Sequence, residues 1–211
     1  MAAPNLSELF GQIDIYLFDQ LLRGRIRPGM RIVDAGCGAG RNLVYLLRTS
    51  ATERYGIFGA DSDPQAIVSV RRLAASVAPA VPPENFRVEA VEAMSFPEAF
   101  ADVAISSAVL HFAASDDHFE CKLRGTWRVL KPGGLFFCRL ASSIGIEHQI
   151  RRIEGRRWLL PDGSERYLVD EVMLMELTER LGARLADPLK TTVVQDQRSM
   201  TTWVLRKDVY E

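Results

Sequence analysis

At 211 residues with a net charge of −1, the chain has no overall positive field to draw it to nucleic acid. Nor does any apolar run approach the roughly 18 residues of a membrane span. Hydrophobic residues make up 47% and charged residues 25%, an ordinary globular balance that can fill a core without staples. Three cysteines, Cys37, Cys121 and Cys138, lack the number and the C-x-x-C spacing of a disulfide or metal framework. That usage suits a reducing, cytoplasmic setting. The run Met1–Glu8 has neither the basic region nor the apolar core of a secretory leader.

In chain order, residues 5–25 place Leu6, Leu9, Phe10, Ile13, Leu17 and Leu21 on one helical stripe, with Asp14, Tyr16 and Asp19 between them. Pro28-Gly29 breaks this helix from the first strand. Residues 31–35 read as that strand, short and buried. Gly36, Gly38 and Gly40 then open a turn, and residues 42–47 begin a helix. Glycines there tolerate positive φ and let a ligand approach the backbone closely. The N–H groups at the start of that helix favour an anionic or polar ligand group. Strand, glycine loop and helix together form the nucleotide-binding corner of a doubly wound α/β fold. The spacing is G-x-G-x-G, whereas a dinucleotide fingerprint needs G-x-G-x-x-G.

Residues 55–60 read as a second strand ending at Asp61-Ser62-Asp63-Pro64. An acid at this place receives ribose hydroxyls, which selects Asp61. Asp63, before a proline at the first helical position, reads as a helix cap. A helix over 64–77 and a third strand over 86–89 come next. A fourth strand over 102–106 should line the ligand site with its C-terminal end, near Ser106 and Ser107. His111 has two readings: a structural histidine among apolar neighbours, or a general base or substrate-orienting group. Residues 116–130 read as a helix that turns through Pro132-Gly133 into a fifth strand at 135–140.

Residues 142–169 carry Arg151, Arg152, Arg156 and Arg157 around Glu154, then a hairpin about Pro161-Asp162-Gly163. Either this is a solvated basic face, or it covers a pocket and offers an arginine such as Arg152 to an anionic substrate. A helix over 170–181, capped by Asp170 and closed by Gly182, precedes two strands at 183–194 and 199–206.

The run Val33-Asp34-Ala35-Gly36-Cys37-Gly38-Ala39-Gly40 resembles the first motif of class I S-adenosylmethionine-dependent methyltransferases. Residues 100–112 resemble that family's fourth-strand motif, and Arg128–Gly134 its turn into the fifth strand. The resemblance implies a Rossmann-like, doubly wound sheet of seven strands, mostly parallel with an antiparallel last strand and helices on both faces. It implies one domain over 1–211, with a helical cap at 1–27 and a substrate-side insert at 142–169. The implied cofactor is S-adenosylmethionine, leaving as S-adenosylhomocysteine. Its contacts would come from Asp34, Gly36, Cys37, Gly38, Gly40 and Asn42 at the methionine end, and from Asp61 and Ser62 at the ribose. Glu92-Ala93 stands where the family usually has Asp-Ala for the adenine, and Ser106 and Ser107 close the site.

Family members often lay an N-terminal helix over the substrate. The first helix therefore either packs on the body or forms a lid with Tyr16 and Asp19 toward the substrate. No Asn/Asp-Pro-Pro-Tyr occurs, which argues against nucleic-acid bases or protein glutamine as acceptors. Gly40-Arg41-Asn42 resembles small-molecule methyltransferases of the tellurite and thiol type. A small-molecule acceptor is the expectation, with no nucleic acid, membrane or metal. The rival readings are a non-catalytic, methyltransferase-like binding subunit and an NAD(P)-dependent oxidoreductase.

Overall fold

The computed structural model describes residues 5–209, so the first four residues of the run read for a leader lie outside the described residues. Five parallel strands form the centre: β1 (Arg31–Ala35), β2 (Gly56–Asp61), β3 (Phe86–Val88), β4 (Ala101–Ser107) and β5 (Leu130–Ala141), in the order β3-β2-β1-β4-β5. A strand covered on both faces must be apolar nearly throughout, and four of the five residues of β1 are buried.

Alternation along the strands then sorts side chains between two helical layers. On β4 and β5, Val103, Ile105, Leu135 and Phe137 join one cluster, while Ala104, Phe136, Cys138 and Leu140 join the other. The first layer brings α2 (Ile15–Leu22), α3 (Val44–Glu53) and α4 (Pro64–Val77) through Leu17, Leu46 and Val70. The second brings α5 (Asp116–Arg128) and α6 (Glu171–Arg180) through Phe119, Leu123, Leu174 and Leu177. As the cap signals foretold, Asp63 accepts from the N–H of Gln65 at 2.8 Å and Asp170 from that of Met173 at 2.8 Å.

Beyond β5 the sheet continues antiparallel through β11 (Arg198–Lys207), which carries both β9 (Ala183–Leu185) and β10 (Lys190–Val194) on its far edge. The count is eight rather than seven because the stretch expected as one strand is cut at residues 186–189. Pro188 there has no N–H to offer a ladder. The insert holds three short strands, β6 (Arg151–Glu154), β7 (Arg157–Leu159) and β8 (Glu165–Tyr167), so the expected hairpin supplies two of the three strands of a small separate sheet.

The N-terminal stripe also divides. Instead of one helix, α1 (Leu6–Phe10) stops at Gly11, whose φ is 61°, and α2 restarts under an Asp14 cap. A side chain at Gly11 would meet Val44 Cγ2 at 2.9 Å, so the break follows from the close approach to α3. Gln20 Nε2 and Arg25 Nη1 both donate to Asp187, at 2.9 and 2.7 Å, and fasten α2 beside β10. Among the described residues no helix is long and apolar enough to cross a membrane.

Candidate active site

The ends of β1, β2, β4 and β5 open on the same side, where ligands sit in parallel α/β sheets. Leaving β1, the chain lies across the end of β2: Gly36 and Cys37 both donate to the carbonyl of Ala60, at 2.8 and 3.0 Å. Gly36 has φ 81°, and a Cβ there would stand 2.4 Å from Val109 Cγ2, so no other residue fits. Space above Gly38 is open, and its N–H donates to Asp61 Oδ2 at 2.8 Å. The other oxygen of Asp61 accepts from Asp63 N at 2.9 Å. Each oxygen keeps a lone pair for a ligand, and the Asp61 side chain lines the cleft.

Asp34 lies at the end of β1, 1% exposed, with Oδ2 unpartnered. Burial drives its pKa up to about 7; the Arg41 guanidinium opposes that rise and the Asp61 charge adds to it. An orphaned, buried carboxyl oxygen fits a ligand that brings a hydrogen-bonding amine.

Two cavities flank the end of β4. The first, about 430 Å³, is walled by Gly36, Asp61, Ser62, Glu92, Val109 and Lys122. Glu92 sits on a 3₁₀ turn (Val91–Ala93) with His118 at 3.3 Å and Lys122 at 3.7 Å. Burial works against its charge, yet a backbone N–H, Lys122 and His118 together hold its carboxyl below the usual range. The second cavity, about 790 Å³, is walled by Arg41, His111, Arg139, Leu160, Arg166 and the turn after β10, Val194 to Arg198. Ala108, left-handed at φ 63°, borders both.

Several of the residues expected here are committed elsewhere. Cys37 packs its thiol against Gly59, and burial raises that thiol's pKa, so only its backbone is open to a ligand. Asn42 Oδ1 accepts the N–H of Asp14 at 3.1 Å, and α3 starts at Val44, two residues later than expected. Ser106 is fully buried, Ala93 lies outside the cavity walls, and Ser107 accepts from Arg41 Nη2 at 3.2 Å.

The substrate-side expectations need more correction. Asp19 pairs with Arg23 at 2.8 Å and Lys190 at 3.4 Å, away from both cavities. Arg152 curls back to the Gly155 carbonyl at 2.7 Å and lies 5.7 Å from the Trp158 ring centroid. Tyr16 bonds Thr192 at 2.9 Å and stands behind Arg139 rather than in the cavity. The insert does wall the second cavity, but through Leu160, Asp162, Ser164 and Arg166.

His111 lines that cavity, and its Nδ1 accepts the N–H of Ala141 at 3.1 Å. The neutral ring therefore carries its proton on Nε2, an assignment made from the hydrogen bond. Burial, then the nearby Arg166 charge, lowers its pKa to about 4. With its Nδ1 occupied and its charged form disfavoured, the ring presents its Nε2–H to the cavity as a donor. Arg139 and the turn after β10 escaped the sequence reading; the three-residue turn between Val194 and Arg198 opens with two left-handed residues, Gln195 and Asp196.

A family model described as a methyltransferase domain matches residues 33–138, half of the chain. The chain belongs to that family. The chain is 31% identical over 111 residues to an uncharacterized methyltransferase of Synechocystis sp., a match covering 53% of this chain and 47% of that relative. It thus aligns with about half of that relative's length. Among solved structures it resembles an S-adenosylmethionine-dependent methyltransferase from Methanosarcina mazei, with TM-score 0.70, 18% identity, and coverage of 90% of this chain and 98% of that one. Another is the 1,6-didemethyltoxoflavin-N1-methyltransferase of Burkholderia thailandensis, with TM-score 0.64, 19% identity, and coverage of 99% and 92%. That structure holds 1,6-didemethyltoxoflavin and S-adenosylhomocysteine. At these identities the structural likeness concerns the fold, which is that of the class I S-adenosylmethionine-dependent methyltransferases.

Proposed function

We propose that the protein moves the methyl group of S-adenosylmethionine onto a small molecule held in the larger cavity. One observation supports the reading: a cavity walled by Gly36, Asp61, Ser62 and Glu92, beside the end of the strand that carries the buried Asp34, meets a second cavity at the single residue Ala108. Asp34 would face the cofactor's ammonium group, Asp61 its ribose hydroxyls and Glu92 its adenine amine, with the loop from Gly36 to Gly40 against the backbone of the tail.

When bound, the cofactor supplies a methyl group on a sulfonium, which leaves with the sulfur keeping the bonding pair as the acceptor's lone pair attacks carbon. The chain's own task is to align the two ligands across Ala108 and exclude water. Its larger cavity offers no ready base, because Asp162 is held by Arg198 at 2.8 Å and the His111 ring is tied by its Nδ1. The arrangement therefore suits an acceptor atom that is nucleophilic without losing a proton.

Thermal unfolding with S-adenosylhomocysteine, S-adenosylmethionine and NADH in parallel tests the cofactor. A ligand at 100 times its Kd stabilises by about 2.7 kcal/mol. Stabilisation by the first two alone supports the reading, and transfer of labelled methyl into a small-molecule pool completes it. Stabilisation by NADH, or by none of the three, defeats it.

A further inference from the structure

We infer that the acceptor is an organic carboxylate, gripped at its acid group by Arg139 and Arg166 beside the N–H of His111. The inference rests on the methyl-transfer reading of the same two cavities and goes on to the charge of the occupant.

The larger cavity is walled by four arginines, Arg41, Arg139, Arg166 and Arg198, against one acid, Asp162. That acid is matched by Arg198 at 2.8 Å. Neither Arg41 nor Arg166 is paired with a carboxylate among the described residues; Arg41 donates to Ser107 Oγ at 3.2 Å and Arg166 to the Glu165 carbonyl at 2.6 Å. The Arg166 guanidinium lies 4.8 Å from the Phe112 ring centroid, so its plane is set before any ligand arrives.

Arg139 is held differently. Its Nη1 donates to the buried carboxylate of Asp14 at 2.9 Å, which fixes the fork, while its Nε is buried without an acceptor. A buried guanidinium N–H without a partner costs stability until something accepts from it, and a carboxylate oxygen is the acceptor that suits a planar fork. His111 adds a neutral donor at Nε2, since its Nδ1 is occupied. Leu160 and Met200 add apolar surface to the same cavity, which calls for a carbon skeleton behind the acid and not for an inorganic anion.

The test uses the full chain saturated with S-adenosylhomocysteine, titrated calorimetrically with benzoate, 4-hydroxybenzoate, indole-3-acetate and hexanoate, each against its primary amide. At least one acid should bind roughly tenfold or more tightly than its amide, a difference of about 1.4 kcal/mol. Arg166→Gln should erase that preference and leave binding of S-adenosylhomocysteine unchanged. The pair Arg139→Gln with Asp14→Asn, which strands no charge, should likewise erase the preference. Equal binding of acids and amides, no binding of any acid at millimolar concentration, or an acid preference that survives both variants overturns the inference alone. A chain that fails to bind S-adenosylhomocysteine overturns the methyl-transfer reading, and this one with it.

Discussion

Asp14 and Arg139 meet at 2.9 Å although 125 residues separate them, and the Asp14 side chain has no exposure to solvent. Asp14 also caps α2 by accepting from Tyr16 N at 3.0 Å, and its own N–H reaches Asn42 beside the glycine loop. One residue thus joins the N-terminal helix, the cofactor corner and the wall of the larger cavity. These contacts tie that helix to the body of the domain.

Removing Asp14 leaves the partly exposed Arg139 guanidinium without its carboxylate and takes the cap from α2. Asp14→Ala should lower the unfolding free energy by about 1–3 kcal/mol, the range for stranding a hydrogen-bonding partner. The double change Asp14→Asn with Arg139→Gln should cost clearly less. Urea unfolding of the three proteins decides it, and a single change as mild as the double would disprove the coupling.

Asp34 and His111 make opposing contributions to stability against pH. The folded pKa of Asp34 is about 7 against an ordinary 3.8, so between those values the folded chain holds a proton that the unfolded chain has lost. Its contribution falls as pH rises through that window and is level above it. For His111 the folded pKa is about 4 against 6.5, so there the unfolded chain holds the extra proton and stability rises with pH. In the native chain the two slopes offset each other between about pH 4 and 6.5. Asp34→Asn should expose the rising slope and His111→Gln the falling one when Tm is followed over pH 4–8. Parallel profiles for all three proteins would refute this.

A cationic amine placed against Asp34 would favour its charged form, so binding should drive the proton off. Uptake of S-adenosylhomocysteine should therefore release protons at pH 6 and hardly any at pH 8, with affinity rising up to about pH 7. Calorimetry in buffers of different ionisation enthalpy measures this directly. Equal proton release by Asp34→Asn would show that another group is responsible.

Asp61 should matter twice, once for the ribose and once for the loop it holds through Gly38. Asp61→Ala should weaken S-adenosylhomocysteine binding by about 1.5–3 kcal/mol, as for hydrogen bonds to charged groups. Gly36→Ala faces a positive φ and the Val109 side chain at once, and should lower stability as well as binding. A calorimetric Kd untouched by the first change would remove Asp61 from the ribose.

What could be read from sequence was local. The glycine loop, the Asp63-Pro64 cap and the strand-to-strand rhythm up to β5 are set by neighbouring residues, and all are seen in the fold. Charges on exposed segments gave less. Asp19 and Arg152 looked free because a sequence does not show Lys190 or the Gly155 carbonyl waiting beside them. The larger cavity was illegible for a related reason: its walls come from β5, the insert and the β10–β11 turn, which only the antiparallel pairing of β11 with β5 brings together.

That pairing divides the molecule's freedom to change. Trp203 on β11 is fully buried and anchors the strand in the core, while the turn at 195–198 hangs from it over the larger cavity. Substitutions in those few residues would reshape what is recognised without disturbing the glycine loop after β1, three strands from β11. A descendant of this chain could acquire a new acceptor through a handful of surface changes and keep its cofactor chemistry intact.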